Sequence, residues 1–148
     1  MTFRRPESAL VVIYDIASRV LLLQRQDDPN FWQSVTGTLE FDEFPLQTAI
    51  REVAEETGIN VRALGLEVVD CRSINQYKIR DIWRHRYPPE CTTNTEYVFA
   101  LQVTGNESIT LTEHDDYIWL DKPAAIEKAW SITNQLAIQK FVPDLDKS

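Results

Sequence analysis

The chain is expected to fold as an α/β (α+β) sandwich, a mixed β-sheet packed between helices. Three observations predict it. Runs of strand composition outnumber helical ones, the few helical stretches stand apart, and the first strong helix follows two strands joined by a turn. A length of 148 residues suits one compact domain over residues 1–148. Apolar residues at 43% and charged residues at 26% sit near the globular average, which excludes disordered and fibrous chains.

Residues 8–14 and 19–25 are rich in Leu and β-branched side chains, with Asp15-Ile16-Ala17-Ser18 between them. This is the pattern of two antiparallel strands and their turn. Asp27-Asp28-Pro29-Asn30 is a loop of turn formers, followed by Phe31-Trp32 and a short strand through Val35. Over residues 44–57 the period changes: Leu46, Ala49, Ile50 and Val53 recur at helical spacing, i, i+3, i+4 and i+7. Asp42 or Glu43 is the expected cap, Pro45 suits the first turn, and Gly58 stands where a helix ends.

Residues 66–74, 77–87 and 96–103 read as further strands, the second stopped by Pro88-Pro89. A short strand at 117–120 precedes Asp121-Lys122-Pro123, which opens a short helix. The last helix spans 131–141, with Ser131 as its cap and Ile132, Leu136, Ala137 and Phe141 among its apolar positions.

Charge narrows the partners. Fifteen Lys+Arg against 23 Asp+Glu give −8, with a pI near 4.7. Sequence-independent nucleic-acid binding needs a basic face, so no stable nucleic-acid partner is expected. A small polyphosphate remains a candidate, because metal ions held by carboxylates neutralise phosphates as lysines do. The longest apolar run, residues 9–14, is far short of the ~20 residues of a membrane helix. Nothing after Arg4-Arg5 resembles a signal peptide, so no membrane association and a cytoplasmic location are expected, and the acceptor pattern Asn106-Glu107-Ser108 is discounted. Cys71 and Cys91 have neither disulfide numbers nor metal spacing and are expected to serve packing.

The helix at 44–57 has an acidic face. Glu52, Glu55 and Glu56 fall away from Leu46, Ile50 and Val53, and Glu52 and Glu56 are i, i+4 neighbours ~6 Å apart at Cβ. Such like charges cost about 0.2–0.5 kcal/mol per pair in an isolated helix. Arg51 can offset one carboxylate, and a hard divalent cation would neutralise the rest.

The spacing of these residues is informative. Gly37, Glu43, Arg51-Glu52-Val53, Glu55-Glu56 and Gly58-Ile59 match the Nudix signature at every specified position, over residues 37–59. The chain therefore resembles the Nudix hydrolase family. The resemblance implies an α/β/α sandwich and hydrolysis of a nucleoside diphosphate linked to a further group, with Mg²⁺ or Mn²⁺. It implies Glu52, Glu55 and Glu56 as metal ligands, with Glu52 and Glu56 foremost, and Glu43 pairing with Arg51 to lock the loop. Family members often recruit a carboxylate from outside the box. In Thr112-Glu113-His114-Asp115-Asp116 the choice is Glu113, as metal ligand or base, with His114 the weaker alternative.

Many family members carry Pro-Gly-Gly before the box, whereas this chain has Phe31 through Gly37, which argues against a generic housecleaning or sugar-nucleotide role. With Leu23-Gln24-Arg25, Asp27-Asp28-Pro29, Arg84-His85-Arg86-Tyr87, Asn94-Thr95-Glu96 and Thr112-Glu113-His114, it resembles the branch that releases pyrophosphate from 7,8-dihydroneopterin triphosphate. That implies a small-molecule triphosphate substrate, with dATP as a side substrate.

Candidate substrate contacts are Arg25, which could fork onto phosphate or pair on the surface, Arg4 before the first strand, Thr36 beside Gly37, and Ser131 at the last helix. Lys78, Arg80, Arg84 and Arg86 are expected to alternate on one strand face as a basic stripe. Trp32, Trp83, Trp119 and Trp130 are expected to pack rather than to serve as ring-stacking platforms. A dATP-preferring nucleotide hydrolase is the nearest alternative. A non-catalytic nucleotide sensor would have lost Glu52, Glu55 or Glu56, and none is lost; an RNA-end hydrolase is disfavoured by the −8 charge.

Overall fold

In the computed structural model, which describes residues 3–112 and 114–144, the first two strands turn where the sequence places the turn. Strands β1 (Glu7–Tyr14) and β2 (Val20–Arg25) are joined by a loop that Asp15 organises. One Asp15 oxygen accepts from the Ala17 and Arg19 backbone N–H groups, each at 2.9 Å, and the other accepts from Arg19 Nε at 2.7 Å.

The sheet is mixed. β1 runs parallel to β6 (Thr93–Gln102) along its whole length, and β5 (Val68–Lys78) lies antiparallel beyond β6. On its other edge, β1 meets β2 only at Tyr14–Val20 and meets β4 (Val35–Thr38) at Ser8 to Val11. β3 (Trp32–Gln33) pairs with β2 at Leu23 and Gln24, and β7 (His114–Leu120) pairs along β2's far edge. The β3–β4 segment is thus wedged between β1 and β2 and spreads their ends apart. A cleft lined by Arg25, Gln33 and Thr36 to Thr38 opens at that spread.

Alternation along the strands sorts side chains to two faces. Ala9, Val11, Ile13, Phe99 and Leu101 face helix α1 (Pro45–Thr57) through its Ala49 and Val53. Leu10, Val12, Val20, Leu22 and Val98 face α2 (Lys122–Lys128) and α3 (Ile132–Phe141) through Ala125, Ala129, Ala137 and Ile138. This is the expected α/β/α sandwich. Ser131 caps α3 by accepting from Asn134 N, as expected. Among the described residues no helix is long and apolar enough to cross a membrane.

Three expectations are corrected. The cap of α1 is neither Asp42 nor Glu43 but Phe44, whose N–H is bonded at 2.8 Å by the Gln47 side chain. Glu43 is drawn away to Arg51. The helix is also rotated from the orientation its apolar stripe suggests: Leu46 is 44% exposed, while Thr48, Glu56 and Thr57 are buried. Packing of the helix C-terminal half against β4 and the strand layer decides this rotation. Finally, residues 77–87 do not form a strand. β5 ends at Lys78, and Asp81–Arg86 is a 3₁₀ helix, so the basic residues do not alternate on a strand face.

Cys71 and Cys91 are half-buried and form no disulfide. Cys71 packs against the α2–α3 core, and burial pushes its thiol up to about 11, which keeps it unreactive.

Candidate active site

The first half of the site is held by one arginine. Arg51 Nε and Nη2 donate to the two oxygens of Glu43 at 2.6 and 2.8 Å, and Nη2 also reaches the Thr38 carbonyl at 3.1 Å. Its Nη1 donates to Glu52 at 2.6 Å and to Glu55 at 3.1 Å. All five guanidinium donors are used, which fixes the loop, β4 and α1 as one unit. Hydrogen bonding by Arg51, against the effect of burial, lowers the Glu43 carboxyl to about 2, and the Arg51 guanidinium is raised in turn. Thr48 Oγ1 and Glu40 N–H, at 2.6 and 3.1 Å, complete the cradle around Glu43.

Gly37 explains how Glu52 is aimed. The Glu52 carboxyl lies against the Gly37 α-carbon so closely that a Cβ there would overlap its carboxyl carbon. A glycine is required by this close approach. Glu52 is hydrogen-bonded to Glu56, and burial raises its pKa, with Glu55 adding to that effect and Arg51 opposing it. Glu56 is only 3% exposed and lies 3.5 Å from His114 Nε2. Glu55 stands apart, its side chain 56% exposed and tied to Arg51. The loop before β7 is bound to the helix by Thr112 Oγ1 on the Glu55 carbonyl at 2.7 Å. Glu113 itself lies outside the described residues; its neighbours Thr112 and His114 both contact α1.

This donor set suits a hard cation. Two largely buried carboxyl groups share a hydrogen bond, so a proton lies between them, in the place a cation would take. Among the described residues no three His, Cys, Asp or Glu side chains form a ready-made metal cage. Mg²⁺ needs none: it is held by one or two carboxylates together with substrate phosphates.

The carboxylates line a cleft of about 670 Å³ that also collects Arg4, Arg25, Arg80 and Arg86. A second cavity of about 330 Å³ continues from it between β6 and α3. Arg25, Gln33, Thr36, Tyr77, Arg80 and Trp83 line both, so the two form one elongated site. At the junction Arg80 lies 5.0 Å from the Phe31 and Trp83 ring centres and 5.6 Å from that of Trp130. Phe31 and Trp130 stack at 4.5 Å, and Arg25 sits 4.7 Å over Trp83. These contacts orient two cations at the boundary between an anionic and an aromatic compartment.

The residues singled out from sequence come together unevenly. Thr36 and Arg25 line both compartments, and Ser131 lines the second. Arg25 forms the surface pair that is one of the two roles expected for it, its Nε donating to Asp27 at 2.7 Å. Arg4 is at the cleft, its backbone N–H bonded to the Arg86 carbonyl at 2.6 Å. The basic stripe disperses: Arg80 and Arg86 enter the cleft, Lys78 the second cavity, while Arg84 donates to the Pro89 carbonyl. Trp83 and Trp130 pack as expected, edge to face on one another and with Phe31 stacked on Trp130, and they also wall the aromatic compartment. Sequence reasoning offered no site position for Asn94, which lines the cleft, or for Glu96, which lines the second cavity. A signal existed for both: polar residues two apart in an apolar strand share one face, here a buried one.

Comparison with known proteins places this geometry. The NUDIX domain family matches residues 4–142. The dihydroneopterin triphosphate diphosphatase of Escherichia coli K12 is 49% identical over 143 residues, covering 95% of this chain and 94% of the relative. The Haemophilus influenzae protein of the same name is 40% identical over 146 residues, covering 98% and 92%. The solved structure of the E. coli dihydroneopterin triphosphate pyrophosphohydrolase superposes with a TM-score of 0.91 at 48% identity, covering 96% of this chain and 98% of that one.

Proposed function

The chain belongs to the NUDIX family of hydrolases, and we propose that its substrate is 7,8-dihydroneopterin triphosphate, cleaved with Mg²⁺ to the monophosphate and pyrophosphate. The observation that carries this reading is the continuity of the two compartments: a carboxylate- and arginine-lined cleft opens directly into an aromatic-walled cavity of bicyclic-ring size. The names of the relatives at 49% and 40% identity support the same substrate. Divalent metal use is general among NUDIX hydrolases.

Glu52 and Glu56 hold the metal, with Glu55 and Glu113 as further ligands. When bound there, Mg²⁺ would neutralise charge along the phosphate chain and lower the pKa of a water at the site. Arg25 and Arg80 fork onto phosphate oxygens at the junction, and Arg4 and Arg86 extend the positive field along the cleft. Glu113 is the proposed base for the attacking water, and His114 holds Glu56 in place at 3.5 Å. Thr36 and Ser131 supply hydroxyls to the ring end. The aromatic walls accept any flat ring, so dATP is expected as a slower substrate.

The test is pyrophosphate release with Mg²⁺ from 7,8-dihydroneopterin triphosphate and from the four dNTPs at equal low concentration. A kcat/KM advantage of about 10-fold or more for the pterin, ~1.4 kcal/mol, is the expected result. A preference for dATP would retain the hydrolase and remove the pterin assignment.

A further inference from the structure

The aromatic compartment contains one acid that the reaction does not use. Glu96 is 4% exposed, on the β6 face turned toward α3, and its carboxyl lines the cavity with Leu10, Trp130 and Ile132. Burial raises its pKa, opposed by hydrogen bonds to Thr133 and Asn75, the latter at 3.3 Å. Its hydrogen-bond partners are neutral, and Lys78 and Arg80 line the same cavity. Burying a carboxyl among neutral partners costs stability, and a Val in its place would continue the apolar pattern of Val98 and Ala100. Its retained acceptor capacity suggests a ligand. A carboxylate has about four acceptor sites, and Asn75 and Thr133 occupy two.

We propose that Glu96 is the residue that reads the ring, its two oxygens accepting the adjacent ring N–H and amino N–H of a 2-amino-4-oxo pyrimidine edge. The inference rests on the pterin substrate proposed above. Such an edge presents two parallel donors, the arrangement by which a guanidinium engages a carboxylate in bidentate fashion. Adenine presents a donor beside an acceptor, so an ionised Glu96 faces one of its lone pairs. The aromatic walls attract both rings, and Glu96 separates them. A site built to satisfy donor groups rejects rings that lack them far more strongly than a hydrophobic slot rejects a change of shape.

The test is kcat/KM of wild type and Glu96→Gln for 7,8-dihydroneopterin triphosphate, dGTP and dATP. A Gln keeps the volume but offers one acceptor and one donor, which suits adenine and opposes the paired-donor edge. The expected result is a pterin-to-dATP ratio lower by about 100-fold or more, with dATP turnover unchanged or raised. Equal losses on all three substrates, or unchanged ratios, would overturn the proposal and leave Glu96 a packing residue. If the wild type does not turn over the pterin, the substrate reading fails on its own. The dGTP-to-dATP ratio then decides Glu96, because guanine carries the same paired donors: a fall in the variant supports the role and constancy removes it. Should Glu96→Gln fold poorly, Glu96→Asp keeps the charge and withdraws it by one methylene. It is expected to raise KM for the pterin while sparing dATP, and a rise shared by both would overturn the proposal.

Discussion

The two ends of the site are built on different principles. At the carboxylate end, Glu43, Arg51, Glu52, Glu55 and Glu56 lie within fourteen consecutive residues of one loop and one helix, joined through a single guanidinium. At the aromatic end, Phe31, Tyr77, Trp83, Glu96 and Trp130 come from separate elements spread between positions 31 and 130. The first end is rigid because it is local. The second holds its shape only while β5, β6, α3 and the 3₁₀ helix stay packed. On the proposed reading, shared chemistry is kept in a compact cassette and ring selection falls to residues that the fold gathers from a distance.

That contrast can be broken at the catalytic end first. Glu56→Gln is expected to lower Mg²⁺-dependent kcat by about 10³-fold on every triphosphate alike, with the fold retained by circular dichroism. Full turnover in a folded variant would remove the metal-ligand assignment. Gly37→Ala comes next: the added methyl must displace the Glu52 carboxyl, and a kcat loss of about 100-fold with little change in KM is expected from steady-state kinetics. A change in KM alone would mean that Gly37 serves substrate entry rather than Glu52.

At the aromatic end the expected effects are smaller and depend on the ring. Trp83→Leu should raise KM about 10-fold for ring-bearing triphosphates, within the ~1–3 kcal/mol of ring stacking, and leave hydrolysis of inorganic tripolyphosphate unchanged. Equal loss on tripolyphosphate would show that Trp83 acts through Arg25 and Arg80 instead.

The smallest expected effect concerns stability. Glu43→Gln removes the acceptor charge of the Arg51 cradle, and a loss of about 1–3 kcal/mol at pH 7 is expected from thermal melts. Because the Glu43 carboxyl is lowered from 4.5 to about 2 in the folded chain, its contribution is fully present above about 4.5. It disappears as pH falls toward 2, so the wild-type and variant melting curves should converge across that window. A constant gap over the range would place the stabilisation in packing rather than in the ion pair.

Sequence alone determined what depends on near neighbours. The spacing of Gly37, Glu43, Arg51, Glu52 and Glu56 identified the family and the loop–helix unit, since helical period and short-range pairing are local properties. The turn at residues 15–18 and the Ser131 cap of α3 fall where the sequence put them. Tertiary structure decided what depends on distant contacts. Residues 81–86 close into a 3₁₀ helix rather than continuing a strand, because charge and aromatic alternation there is compatible with either. The rotation that buries Glu56 and exposes Leu46 is set by what α1 packs against, not by its own stripe. Arg80, Trp83, Glu96 and Trp130 meet only because β1 and β2 are spread by the β3–β4 wedge and α3 closes the far side. The period of a strand or helix says which residues share a face; which faces meet is settled by packing the whole chain.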